Sequence, residues 1–291
     1  MLKFFNKKKK SPKRVVIFGA SGIISKNLQI ELKKSKISYK AIGRKKIDLK
    51  NDKSASVKIK KQLRKNDLII FLSAEAPVKN HKTLLNNIEI MNSIIDGVNP
   101  NIISQIIYIS SDAVYSDSKS KLSEKSLTLP SNFHGMMHII REKILKKIFK
   151  EKLLILRPTM IYGKFDTHDG YGPNQFLKLV KLKKKIILFG KGEERRDHIY
   201  IENIISVLKE CIYRKASGTL NLASGNVYSF YEIAKKIIKI TNSSSNIKFT
   251  KRKGPMPHNG YRPFDISLLK NKFNKLKIDK INSGLKNYIK K

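Results

Sequence analysis

Five short, almost wholly apolar runs alternate with helical patterns over the first 160 residues: RVVIFGA (14–20), SYKAIG (38–43), NDLIIFLSA (66–74), SQIIYIS (104–110) and KLLILRP (152–158). Runs without polar alternation predict strands covered on both faces. Helical periodicity near 22–34, 53–65, 80–97 and 134–150 supplies the covers. Strand and helix in strict alternation predict an α/β fold, a doubly wound parallel sheet with right-handed crossovers. Such a sheet receives ligands at the carboxyl ends of its strands.

After about residue 160 the pattern loosens, and Gly, Pro and Asp gather in YGKFDTHDGYGPNQ. A short helix, the strand KIILFG and mixed elements follow. We divide the chain into a basic, disordered 1–13, a nucleotide-binding domain over 14–165 and a smaller C-terminal substrate-binding region over 166–291. The helix at 202–214 and the strand GTLNLAS (218–224) suit a return to the main sheet, so 199–224 is expected there.

Composition narrows the class. The chain of 291 residues is 40% hydrophobic, enough for a sizeable core. It has no 18-residue uncharged apolar run, and MLKFFNKKKKSPKR lacks the apolar stretch of a signal peptide. We therefore expect no membrane insertion. The single cysteine, Cys211, excludes an internal disulfide and fits a reducing, cytoplasmic setting. The net charge of +40 favours anionic ligands. Its lysines are spread over predicted helix surfaces, and the chain is rich in Ile and Asn, which AT-rich codons favour. Genome composition is thus the main reading of the charge and nucleic acid the lesser one.

The turn after the first strand reads GASGIISKNL (19–28). Gly19 and Gly22 let backbone amides approach a pyrophosphate, and the helix N-terminus that follows favours it electrostatically. From here the chain resembles the extended short-chain dehydrogenase/reductases, the group containing NAD-dependent sugar-nucleotide epimerases and dehydratases. The likeness is carried by GxxGxxG with Ser25 at the third glycine, SSDAVYS (110–116), RPTMIYG (157–163), GKGEERRDHIY (190–200), TLNLASG and YRPFDISLL (261–269), in family order. It implies a Rossmann fold.

Members of that group usually show P-x-x-x-YGxSKxxxE, the Tyr and Lys being the catalytic pair. Here the segment is PSNFHGMMHIIRE (130–142), so His134 takes the Tyr position and His138 the Lys position, while Pro130, Gly135 and Glu142 keep the register. A phenol with a pKa of about 10 needs a neighbouring cation to act as a base near neutrality, whereas an imidazole titrates near 6.5 unaided. Exchanging both residues together is therefore coherent for acid–base work. The rival readings are a catalytically silent NADP-binding regulator and a nucleic-acid-binding member of the fold. A zinc site on the HxxxH spacing, with Asp112 or His168 as third ligand, lacks the glutamate of HExxH; we expect no metal.

The resemblance implies further roles. Ser111 orients the reacting substrate oxygen, and Asp112 stands where the dehydratase-like branch supplies a proton, although Ala113 replaces that branch's glutamate base. Tyr115 is expected to pack. Cofactor contacts fall on Gly19, Ser21, Gly22, Ile23, Asp48, Leu49, Ser73, Ala74, Asn87 and His138. Arg44, backed by Lys45, replaces the acidic residue that binds the ribose of NAD, so NADP is expected, with NAD the alternative. Asn174, Arg196 and Arg262 match nucleotide-sugar contacts, and Met160 replaces an asparagine common in epimerases. The implied protein is a homodimer through the helices at 80–97 and 134–150, serving surface polysaccharide biosynthesis.

Overall fold

The computed structural model describes residues 2–167 and 170–290. Its chain forms two compact units. The first gathers the chain up to Ser116 with Ser126–Pro158 and Ile205–Asn221; the second gathers Asp117–Lys125, Thr159–Ile204 and the chain from Leu222.

Through the first unit run β1 (Lys3–Phe4), β2 (Val15–Phe18), α1 (Ile23–Lys34), β3 (Tyr39–Ile42), α2 (Ala55–Gln62), β4 (Leu68–Phe71), α3 (His81–Gly97), β5 (Gln105–Ile109), α4 (Phe133–Phe149) and β6 (Leu153–Pro158). The second holds β7 (Met160–Tyr162), α5 (Pro173–Lys181), β8 (Ile186–Phe189) and β9 (Arg195–Tyr200). After α6 (Ile201–Tyr213) and β10 (Ala216–Leu222) come β11 (Val227–Ser229), α7 (Phe230–Ile240), β12 (Ile247–Thr250), β13 (Tyr261–Arg262), α8 (Ser267–Lys272) and α9 (Ile281–Lys290).

The first unit's sheet has seven strands in the order β1-β10-β6-β5-β4-β2-β3, and β2 to β6 are mutually parallel. Strands β2, β4, β5 and β6 are buried at every position, as two-sided cover requires. Alternate residues Val16, Phe18, Ile69, Phe71, Ile106, Tyr108 and Ile155 form one core with Ile59 of α2, Met91 and Ile94 of α3 and Leu145 of α4. Each such aliphatic side chain contributes about 1.5–3 kcal/mol by leaving water.

Three assignments differ from expectation. The expected disorder of 1–13 does not hold for its described residues, 2–13: Lys3 faces Ser217 and Phe4 faces Ala216 in an antiparallel pair with β10, and Leu2 is buried. The Arg214 guanidinium lies 4.1 Å from the Phe4 ring centre. Without this segment β10 would present a bare edge, and the apolar Leu2 and Phe4 close it. The first unit also ends at Pro158 rather than 165, because Met160–Tyr162 pairs in parallel with β9. The Asp117–Lys125 segment leaves the expected 14–165 domain as well, its Leu122 bridging to Phe264.

In the second unit β9 is the hub. Its first half pairs with β11 and β13 and its second half with β7, while β8 and β12 form a separate parallel pair.

Candidate active site

The turns that follow β2, β3 and β4 meet at the carboxyl ends of those strands, around a cleft of about 500 Å³. Gly19, Ser21, Arg44, Lys45, Asp48, Leu49, Ser73 and Ala74 line it, and the size suits a small-molecule pocket. Gly19 has φ +105°, and a Cβ there would stand 2.9 Å from the Ser73 amide nitrogen, so only glycine fits. Gly22 caps α1 without a side-chain acceptor, and a Cβ on it would meet nothing within 4 Å. The leading amides of α1 therefore have no side-chain cap, the arrangement a pyrophosphate uses. Ile23 opens the helix, half-buried, and Ser25 beneath it is buried against Gln29.

Arg44 and Lys45 are exposed where they line the cleft. Asp48 is held below the usual carboxylate range. Partial burial works the other way, but the amides of Lys50 and Asn51 and the Asn51 side chain outweigh it, with Arg44 adding charge. These residues fit a dinucleotide, with cationic groups beside the carboxylate.

Ser111 and Asp112 lie at the end of β5, where the Ser111 hydroxyl accepts from the Ala113 amide (3.1 Å) and caps a single helical turn, Asp112–Val114. Helix α4 rests on this turn: a Cβ on Gly135 would sit 2.1 Å from the Ala113 carbonyl oxygen. The Asn132 side chain caps α4 by accepting from the Gly135 amide (2.9 Å). His134 is thereby brought within electrostatic range of Asp112.

The two imidazoles stand edge to face, their centres 4.8 Å apart. Burial pushes the His134 pKa down; Asp112 opposes this and Arg141 adds to it. Its Nδ1 is buried without a hydrogen-bond partner. His138 is 6% exposed, and its pKa lies well below the ordinary value through burial, then His134 and Arg141. Its Nδ1 is 2.7 Å from the Tyr108 hydroxyl. Among the described residues no group of three His, Cys, Asp or Glu side chains offers a metal site, and His168 lies outside those residues.

Around this pair is a buried polar network, of which motif reading named Asn87, Glu142 and Tyr115 but missed Arg141 and Tyr108. Arg141 donates to the Ser73 carbonyl (3.0 Å) and to both oxygens of Asn87. Asn87, fully buried, bridges to the Glu75 backbone and braces α3 against the turn after β4. Glu142 pairs in two-pronged fashion with Arg157 (2.8 and 2.5 Å) and accepts from Ser110 (2.7 Å). Tyr115 packs as expected: its hydroxyl donates to Asn221 (2.7 Å) and accepts from Arg157 (2.8 Å). The available signal was an arginine three residues after His138, hence on the same helix face.

In the second unit Arg196 of β9 and Arg262 of β13 are register partners on adjacent strands, so their side chains leave one face of the sheet together. Arg196 donates to Glu194 (3.1 Å). Arg262, 1% exposed, reaches Asp117 (3.3 Å) and His258 (2.9 Å). Asn174 accepts from the Gly163 amide (2.9 Å) and donates to Asp166 (2.7 Å), which ties α5 to the end of β7.

A glycine-lined cleft at the strand ends, beside a polar pair on the β5–α4 face, goes with a Rossmann-like α/β fold. The NAD dependent epimerase/dehydratase family profile matches residues 15–223, and the chain belongs to that family. The resemblance to extended short-chain dehydrogenase/reductases is thereby confirmed. A dTDP-D-glucose 4,6-dehydratase of Dictyostelium discoideum is 28% identical over 201 residues, 61% of this chain and 45% of that protein. The match thus spans less than half of the relative's own length.

Two solved structures share the fold. UDP-glucuronic acid 4-epimerase from Bacillus cereus, in complex with UDP-glucuronic acid and NAD, has TM-score 0.76 at 21% identity, over 95% of this chain and 99% of that one. A GDP-L-fucose synthetase from Naegleria fowleri, bound to NADP, has TM-score 0.77 at 15% identity, over 99% and 94%. No described helix is long and apolar enough to cross a membrane.

Proposed function

We propose that the protein is an NAD(P)-dependent oxidoreductase of a nucleotide-linked sugar, epimerase/dehydratase-like, in which His134 and His138 replace the usual Tyr and Lys. The observation that carries this reading is the cleft at the ends of β2, β3 and β4, whose lining contains seven of the residues assigned to the cofactor: Gly19, Ser21, Arg44, Asp48, Leu49, Ser73 and Ala74. When bound, a nicotinamide cofactor supplies the hydride chemistry.

In this reading Gly19, Ser21, Gly22 and Ile23 hold the pyrophosphate. Asp48 and Leu49 take the adenine side, Ser73, Ala74 and Asn87 support the bound cofactor, and Arg44 with Lys45 selects NADP over NAD by facing a 2′-phosphate. His134, kept neutral by burial, accepts or returns the proton at the sugar oxygen that Ser111 orients. Asp112 biases that imidazole, and His138 supports the ribose. Arg196 and Arg262, with Asn174, take the diphosphate of the nucleotide; a guanidinium fork matches phosphate geometry. The relatives are named for UDP-, dTDP- and GDP-sugars, and this class of substrate is what we assign. A homodimer fits the same reading, since Leu85 of α3 and Phe133, Met136 and Ile140 of α4 are exposed apolar side chains; a cytoplasmic setting and a role in surface polysaccharide synthesis are assigned from the family resemblance alone.

The test is a thermal-shift screen of nucleotide sugars with NADP or NAD, followed by turnover assays on any hit. Native-state ligands raise the melting point, by about 2.7 kcal/mol of stabilisation at a hundredfold excess over Kd. His134→Gln should abolish turnover with cofactor affinity intact. Cofactor binding with no sugar response would favour the silent regulator. Failure to bind either cofactor would sink the reading altogether.

A further inference from the structure

Position 138 holds a buried imidazole where the family resemblance leads one to expect a lysine, so the site lacks a cation there. Three residues on, Arg141 is 0% exposed. Its guanidinium lies among the Ser73 carbonyl, the Asn87 carbonyl (3.1 and 2.5 Å) and the Asn87 amide oxygen (3.1 Å), and 5.0 Å from the Phe71 ring centre. All of these partners are neutral. Among the described residues Arg141 has no ion-pair partner, and the adjacent Glu142 is committed to Arg157 and Ser110. A guanidinium buried without a counter-ion costs several kcal/mol, and charges held that way concentrate at functional sites.

Arg141 also interacts with Tyr108, whose hydroxyl is 2.7 Å from His138 Nδ1. The buried Arg141 charge acts on the phenol electrostatically and favours the phenolic oxygen, not its proton, on the guanidinium side. The phenolic proton is then directed at Nδ1, which accepts it, and the imidazole carries its own proton on Nε2. Tyr108 cannot turn away, since it is buried on β5 with the Phe71 ring 5.3 Å from its own.

We propose that Arg141 is the fixed cation of the two-histidine site, and that Arg141 and Tyr108 are positioning residues holding His138 as the neutral Nε2–H tautomer. The inference rests on the proposed function for the role of the pair, but its geometry is independent of substrate. The charge moves one helical turn along α4, and position 138 becomes a neutral donor able to meet a hydroxyl oxygen of a sugar or ribose. The titratable and charged groups facing the pair are Asp112 from the turn after β5, Tyr108 from β5, and Arg141 and the two histidines themselves from α4. Of these only Asp112 favours a charged His134, and burial with Arg141 overrides it.

The experiment is nitrogen-15 NMR of histidine-labelled full-length protein, titrated from pH 8 to 5 without ligand. We expect His138 as Nε2–H throughout the neutral range. Tyr108→Phe should give mixed tautomers at His138. Arg141→Met should raise both histidine midpoints by about one pH unit, the usual effect of removing one nearby like charge, and Arg141→Lys should leave them low. An Nδ1–H or charged His138 at pH 7 overturns the proposal, as do unchanged midpoints in Arg141→Met. If Arg141→Met does not fold, the wild-type tautomer and Tyr108→Phe decide, and an unchanged tautomer in Tyr108→Phe overturns it. The expected NMR pattern in a protein that turns over no nucleotide sugar would defeat the proposed function alone; turnover with an Nδ1–H His138 would defeat this inference alone.

Discussion

A histidine kept neutral by burial leaves a signature in stability as well as in catalysis. The pKa of His138 is lowered in the folded chain and is 6.5 as its ordinary value, so below pH 6.5 the unfolded chain binds the extra proton first. Stability then falls as pH falls, the slope following the excess of protons on the unfolded state. His138→Gln removes that linkage while its amide can still face Tyr108. Urea unfolding at pH 7.5 and pH 5 should show wild type losing up to about 2 kcal/mol more than the variant, the limit for one group neutral in the native state. At the cleft, Arg44→Asp should turn the cofactor preference toward NAD, read by titrating both dinucleotides; an unaltered NADP preference would remove Arg44 from the selecting role. The two histidines were legible from motif register alone. Arg141 was not: its spacing put it on the face of His138, but an arginine on a lysine-rich helix looks solvated until the fold shows that face to be buried.

Between the residue and the molecule, the pairing of β9 with β13 puts two guanidinium groups side by side. Like charges opposite one another cost stability, and here Glu194 and Asp117 offset them. Arg196→Ala should therefore leave the unliganded melting point nearly unchanged, yet cost a nucleotide sugar at least about 1.5 kcal/mol of binding, the loss of one charge-assisted hydrogen bond. Isothermal titration at physiological salt reads it, and undiminished affinity would remove Arg196 from the site. Its neighbour Asp197 points elsewhere. Burial raises its pKa to about 6 although Thr159, Ser224 and Asn226 all donate to its carboxylate. Asp197→Ala strands those donors and should cost about 3 kcal/mol in chemical denaturation, roughly one unsatisfied buried group's penalty at its upper end. At this scale the sequence was most readable: the five apolar runs contain β2 to β6 within a few residues at each end. The pairing of β13 with β9 was hidden, because its two residues carry no periodicity and owe their extended shape to the partner strand.

A net charge of +40 acts on the whole chain at once. Self-repulsion of that size opposes compaction, and salt relieves it as the screening length falls from about 30 Å at 10 mM to about 8 Å at 150 mM. The melting point should rise across that range, and retention on RNA should fall steeply over it if the contact is diffuse. The alternation of strand and helix made the first unit legible. The transfer of Asp117–Lys125 to the second unit was not, because it depends on Leu122 finding Phe264 far along the chain.

The pairing of Lys3 with Ser217 also sets an order of events on the ribosome. The earlier strand must wait for roughly 200 further residues before its partner exists, about 10–40 s at ordinary elongation rates. Through that interval its aromatic side chains are unpaired, and the lysine run at 7–10 beside them acts as a gatekeeper against strand-to-strand aggregation. The edge of the sheet is thus sealed by a segment synthesised long before the strand it protects.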